Sequence, residues 1–347
     1  MGKLFCDSTA FEPSPAQSVH WKDHHCNREA IDPTVSDLKA VAVEDTWNDV
    51  TGLVEHQRRY LQRLQTKGVL WKSGREETDG LPRAVVFQLQ HGGEVSADGN
   101  CLFTACQRAM GAGVLCGMDA KELRRRAVAR FLEDYQSACL DEKGVIDAVI
   151  RHMYAPDLGN GWGVHVVQDV KLLARKDDRS SLDSAIEDLV LIGMQREVAA
   201  ESIYKERCIQ VNEGPSWAKY MSISGSPDEE YDIVTLQYTE DGLLSVDENR
   251  LGHAAAFGDD IAIECLASEF RREIYVVQTH GADGMVDEEN CVFFLPHRPR
   301  RQVCELPFFL FMKGTGWCGA GADHYEPLLA YPSSSLCHEK AAVVLGG

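Results

Sequence analysis

Cys101, His324 and Glu326 are the side chains of this chain whose types and spacing could do nucleophilic chemistry. Cys101 follows the polar loop Ser96-Ala97-Asp98-Gly99-Asn100 and precedes an apolar run, Leu102 to Met110, that its pattern predicts as a helix. Asp, Gly and Asn cap helices and make tight turns. A cysteine at a helix N-terminus sits where the macrodipole and free amides stabilise a thiolate. Main-chain amides of the Asp98–Cys101 loop, with Gly99 and Asn100, are candidate donors to a developing oxyanion. His324 would open a strand running to about Ala330. Strand side chains alternate faces, so His324 and Glu326 point the same way, and the carboxylate can orient the imidazole. Cysteine, distant histidine and nearby carboxylate together make the nucleophile, base and orienter of a cysteine hydrolase. The plainer alternative is that Cys101 is one of twelve cysteines and a small buried hydrophobe.

Three ordered blocks resemble the ovarian tumour (OTU) family of cysteine proteases, which are mostly deubiquitinases. Asp98-Gly99-Asn100-Cys101-Leu102-Phe103 resembles that family's nucleophile signature. Phe257-Gly258-Asp259-Asp260, followed by a helix to about Phe270 and the strand Ile274-Tyr275-Val276-Val277, is similar to its Trp-Gly-Gly block. His324-Tyr325 resembles its terminal His-Tyr. Phe257 replaces the usual Trp, Glu326 stands where Asp or Asn is usual, and residues 140–250 match poorly. The resemblance implies an α/β (α+β) OTU-like, papain-type fold, with a small central β-sheet flanked by helices. It implies Asp98 as a further active-site residue, ubiquitin or polyubiquitin as partner, and thiol-dependent hydrolysis of the isopeptide bond. The alternatives are a catalytically weak or inactive ubiquitin-binding protein of the same fold, or a thiol hydrolase for another ubiquitin-like modifier.

The elements that must position these residues follow from periodicity. Residues 44–67 predict a helix with Trp47, Val50, Val54, Leu61 and Leu64 on one face, and Trp71 to Leu81 a polar connector. Residues 84–90 predict a strand. Asp119 caps a helix to about Tyr135, on whose solvated face Arg124-Arg125-Arg126 is expected. Residues 142–154 and 181–209 predict helices, the latter one long or two short, and Ser216 to Met221 a helical turn. Strands are expected at 231–238, 273–279, 291–295 and 307–312. The resulting division is a flexible tail (1–43), an N-terminal helix and connector (44–82), a catalytic domain (83–332) with a mainly helical insertion at 140–250, and a flexible tail (333–347).

Composition bounds the function. Fifty-four acidic against 35 basic residues, a formal charge of −19, argue against a nucleic-acid partner. No Cys-x-x-Cys pair occurs and His24-His25-Cys26 has no partners at finger spacing, so neither a metal nor another cofactor is expected. No apolar run is long enough to span a membrane, and no secretory signal is visible. Gly2 lacks the Ser or Thr that lipidation favours, Cys6 standing there instead. A catalytic thiol must stay reduced, which points to the cytosol or nucleus. Oligomeric state and linkage preference are not legible.

Overall fold

The computed structural model describes residues 46–76, 82–111, 117–159, 167–279, 291–300, 303, 305–313, 324–333 and 341–346. The expected tail 1–43, Gly2 and His24-His25-Cys26, and the sequence stretches 160–163, 280–290 and 314–321, lie outside them. Eight α-helices are described: α1 (Glu55–Thr66), α2 (Cys101–Met110), α3 (Ala120–Ser137), α4 (Leu140–Tyr154), α5 (Arg179–Leu191), α6 (Arg196–Arg207), α7 (Gly214–Ser222) and α8 (Asp260–Phe270). The strands are β1 (Val69–Glu76), β2 (Pro82–His91), β3 (Gln168–Arg175), β4 (Ile209–Gln210), β5 (Tyr231–Thr239), β6 (Gly242–Asp247), β7 (Ile274–Thr279), β8 (Val292–His297), β9 (Phe308–Lys313), β10 (His324–Ser333) and β11 (Val343–Gly346). The fold is mixed α/β, of the α+β kind.

The main sheet has seven strands in the order β11-β1-β2-β10-β9-β7-β8, larger than the small sheet expected. Apolar residues on both of its faces explain the two cores. On β9, Phe308, Leu310 and Met312 join Leu102, Phe103, Leu123, Phe131 and Leu266 in one core with α2, α3 and α8. The alternate residues Phe309 and Phe311 join Leu61, Leu64, Trp47, Trp71, Phe87 and Leu328 on the α1 side. A period-2 strand that is apolar on both faces from Phe308 to Met312 is what two covered faces demand. On β10, Tyr325 packs in the α2-side core and Leu328 in the other. Asp119 caps α3 by accepting a hydrogen bond from the Glu122 amide at 2.8 Å, as its sequence indicates.

Residues 140–250 are helical in part but also carry a second antiparallel sheet, β4-β3-β5-β6. Residues 181–209 divide into α5 and α6, which cover this sheet through Leu182, Ile186, Ala199, Ala200 and Tyr204. Within the stretch 239–249, whose acidic, glycine-containing sequence reads as turn-rich, Gly242 to Asp247 form β6, hairpinned to β5. In α4 the buried stripe is Ile146, Ile150 and Tyr154, while Val145 and Met153 are exposed.

Other expectations are corrected. Trp71 to Glu76 is not a connector but most of β1, antiparallel to β2. Thr46 to Gly347 group as one compact unit, which spans the expected boundary near residue 82. The C-terminal segment is not free along its length: Val343 to Gly346 pair in parallel with Val69 to Lys72, and Leu345 enters the α1-side core. Arg124 does not lie on a solvated face. It is 1% exposed, because acceptors from three segments, at Gly99 and Asn100, at Met221 and at Ala256, converge on its guanidinium, whereas Arg125 and Arg126 pair with Glu122 at the surface.

Candidate active site

Cys101 is the first residue of α2, and only 4% exposed. Helix ends leave first-turn amides without intrahelical partners. The N-cap residue Asn100 makes no side-chain capping bond here, and no acidic residue occupies the first turn. The backbone N–H groups of Tyr325 on β10, and of Leu102 and Cys101 itself, favour the thiolate. Burial is the larger influence and pushes the Cys101 thiol above its ordinary value, with the Asp98 charge adding to the rise. The resting group is therefore a thiol set among amides that would welcome the anion.

The loop before Cys101 is tied down on every side. Gly99 has φ +82, a left-handed conformation that glycine tolerates, and a Cβ there would lie 2.6 Å from Ala255 Cβ. Asp98 Oδ1 accepts the Asn100 amide at 2.9 Å. That contact shapes the loop and also occupies the Asn100 N–H, so Asn100 does not offer its amide to an oxyanion in this arrangement. The Asn100 side chain is equally committed: Nδ2 donates to the Ser224 carbonyl at 3.0 Å, and Oδ1 accepts from Arg124. Arg124 also donates to the carbonyls of Gly99, Met221 and Ala256, and its guanidinium lies 4.3 Å from the Phe103 ring centroid. Sequence reading missed this arginine, because a run of three arginines on a helix reads as a charged surface.

The Phe257-Gly258-Asp259 block supports the same corner. Phe257 is 63% exposed. A Cβ on Gly258 would meet Leu102 Cδ2 at 2.2 Å, so glycine lets this segment lie directly against the residue after the nucleophile. Asp259 caps α8 through the Ala262 amide at 2.8 Å, and accepts from Trp217 Nε1 at 2.9 Å and from the Tyr154 hydroxyl. Burial pushes its carboxyl above the usual range against those hydrogen bonds.

His324 begins β10, one residue before Tyr325, whose amide serves Cys101. Its Nε2 lies 2.9 Å from the Val95 carbonyl. A carbonyl can only accept, so Nε2 is the donor in this contact, and in the neutral ring Nδ1 is the nitrogen that can take a proton. Glu326 shares the His324 face of the strand, but its Oε1 is 4.0 Å from His324 Nε2, beyond hydrogen-bond reach. The carboxylate is instead bonded to His91 on β2, Oε2 to Nε2 at 2.6 Å. Glu326 is 1% exposed; burial pushes its carboxyl up, but the His91 bond and the nearby His91, Lys313 and His324 charges outweigh this and hold it below the usual range. The direct orienter of His324 is thus the Val95 carbonyl, with Glu326 behind it. Neither His91 nor Val95 carries a local signal, since each reaches the site only through strand pairing and the loop path.

Cys101 at the head of α2 thus lies beside Tyr325 of β10, the strand that also carries His324 and Glu326, with Asp98, Gly99 and Asn100 in the loop before it. Among the described residues no group of three His, Cys, Asp or Glu side chains could hold a metal ion, and no helix is long and apolar enough to cross a membrane. The chain matches no family model, no curated protein and no solved structure.

Proposed function

We propose that this chain is a cysteine hydrolase of the OTU kind that cleaves isopeptide bonds between the ubiquitin C-terminus and lysine. The observation that carries the reading is the position of Cys101: the first residue of a helix, under the Tyr325 amide, one residue along β10 from a histidine with a free Nδ1. In this reading His324 Nδ1 takes the thiol proton. The thiolate attacks the isopeptide carbonyl carbon, forming the C–S bond, and the carbonyl electron pair moves onto oxygen. The first-turn amide of Cys101 stabilises that oxyanion, a class of contribution worth about 3 kcal/mol per donor. His324 returns its proton to the departing lysine amine, and water then hydrolyses the thioester with the same histidine as base. A thiol kept protonated by burial is compatible with this sequence, because ionisation accompanies proton transfer to His324.

The ubiquitin part of the reading rests on the three sequence blocks alone. Labelling with ubiquitin bearing a thiol-reactive C-terminal electrophile tests both parts. The expected result is an adduct with the wild type that Cys101→Ala abolishes and His324→Ala slows. A folded, reduced protein that forms no adduct would remove the hydrolase reading for ubiquitin.

A second reading, a ubiquitin-binding protein with little turnover, is favoured by two features: burial raises the Cys101 thiol, and the His324 ring hydrogen-bonds to the Val95 carbonyl. Slow adduct formation alongside tight ubiquitin binding would support it.

A further inference from the structure

His91 belongs to none of the motifs, yet it holds the carboxylate nearest His324. Its side chain is 7% exposed and that of Glu326 is 1% exposed, and the two are 2.6 Å apart. Strand register explains the encounter. His91 on β2 lies opposite Leu328 on β10, which makes Glu326, two residues along the same face, its diagonal neighbour. His91 is itself held in place. Its ring lies 5.6 Å from that of Trp47 and 6.3 Å, edge-on, from that of Phe311, and its amide donates to Thr46 Oγ1 at 3.0 Å.

The other Glu326 oxygen looks towards two groups. Lys313 Nζ on β9 is 3.7 Å away and is already bonded to Thr51 Oγ1 at 2.8 Å. His324 Nε2 is 4.0 Å away and already donates to Val95. One buried carboxylate therefore faces two histidines, and only the nearer makes a charge-assisted hydrogen bond.

We propose that His91 is a positioning residue that tethers Glu326 away from His324, and so limits how strongly the carboxylate supports a proton on the general base. The proposal rests on the reading of His324 as that base. Without the His91 donor, a carboxylate that stays buried must find another partner. Lys313 Nζ at 3.7 Å is slightly nearer but stands on β9 and is held by Thr51, whereas the His324 N–H at 4.0 Å is on the same strand face as Glu326. Closing that gap favours the imidazolium, and with it the thiolate of Cys101. His91 acts as a brake on the nucleophile.

The experiment compares the full-length wild type with His91→Leu, His91→Gln and Glu326→Gln, reading the imidazole N–H proton resonances by NMR and the rate of Cys101 alkylation by iodoacetamide against pH. In His91→Leu, the His324 Nε2–H resonance is expected to move downfield as a carboxylate replaces the carbonyl as its partner. Cys101 alkylation is expected to rise roughly fivefold at pH 6. His91→Gln keeps a donor for Glu326 and is expected to retain the wild-type resonance and profile. Should His91→Leu not fold, Glu326→Gln decides: the His91 resonance is expected to move and that of His324 to stay close to its wild-type position. A His324 resonance unchanged in His91→Leu, or one that moves more than that of His91 in Glu326→Gln, would overturn the tether. Neither readout requires turnover. A chain that shows these shifts but forms no adduct with the ubiquitin probe keeps the tether and loses the hydrolase reading.

Discussion

Arg124 closes on Asn100 with two donors to one oxygen: Nε and Nη2 lie 3.0 and 2.8 Å from Asn100 Oδ1. The same guanidinium reaches the carbonyls of Gly99, Met221 and Ala256. Burial draws its pKa down to about 10, so it remains charged at neutral pH and is solvated by protein carbonyls instead of water. Arg124→Met is expected to lose about 3 kcal/mol of stability, since several buried acceptors lose their donor together. Arg124→Lys is expected to recover part of this, lacking the planar fork that serves several acceptors at once. Urea denaturation measures the loss. Alkylation of Cys101 under native conditions shows whether the loop has loosened, with faster and less pH-dependent reaction expected in Arg124→Met.

Cys101→Ala separates chemistry from folding. The side chain is small and shielded, so about 1 kcal/mol of stability is at stake. Turnover of a di-ubiquitin substrate is expected to fall by a factor on the order of 10⁴ or more. A variant that keeps wild-type turnover would exclude Cys101 as nucleophile.

Glu326 makes stability depend on pH. Its folded carboxyl titrates below its unfolded value of about 4.3. A depressed acid contributes stability that is complete above the unfolded value and is lost as pH falls through the folded one. The stability difference between wild type and Glu326→Gln is therefore expected to be largest near neutrality and to shrink from about pH 5 downwards. Denaturation midpoints measured from pH 7 to pH 3 check this. A difference that grows on acidification contradicts it. For the proposed reaction, Glu326→Gln is expected to lower the rate only a few-fold, because the direct partner of His324 is the Val95 carbonyl.

Gly258→Ala tests the seat of the nucleophile helix. The new methyl would meet Leu102 side-chain atoms at 2.2 to 3.0 Å. The helix start or the Phe257–Asp259 segment must shift, at a cost of about 1–3 kcal/mol. Adduct formation with the ubiquitin probe is expected to slow by more than stability alone explains, since Leu102 follows Cys101 directly. Equal labelling rates in folded wild type and variant would show that the contact is mere packing.

Strand β11 shields the β1 edge. Leu345→Ala removes an apolar contact with the α1-side core and is expected to cost about 2 kcal/mol, a thermal shift of several degrees. Removing residues 341–347 is expected to cost more and to promote association through the uncovered edge. Thermal denaturation and light scattering measure the two effects.

What the sequence determined by itself is local. The helix after Asn100, the Asp119 cap, the helix before Ile274 and the strand opening at His324 follow from periodicity, capping chemistry and turn residues, all of which act within a few positions. The candidacy of Cys101 and a distant histidine as nucleophile and base was legible because the residue types limit the chemistry. Tertiary structure decided which partners the charged groups take. Glu326 follows strand periodicity to the His324 face, but β2 enters the sheet beside β10 and delivers His91, 235 positions away, at bonding distance. Arg124 sits in a run that reads as surface, and is buried because carbonyls 25, 97 and 132 positions away converge on it. Parallel pairing of β11 with β1 likewise depends on a register that no local pattern encodes. A charge can be buried only where enough polar partners gather to replace water, and where they gather is a property of the whole fold.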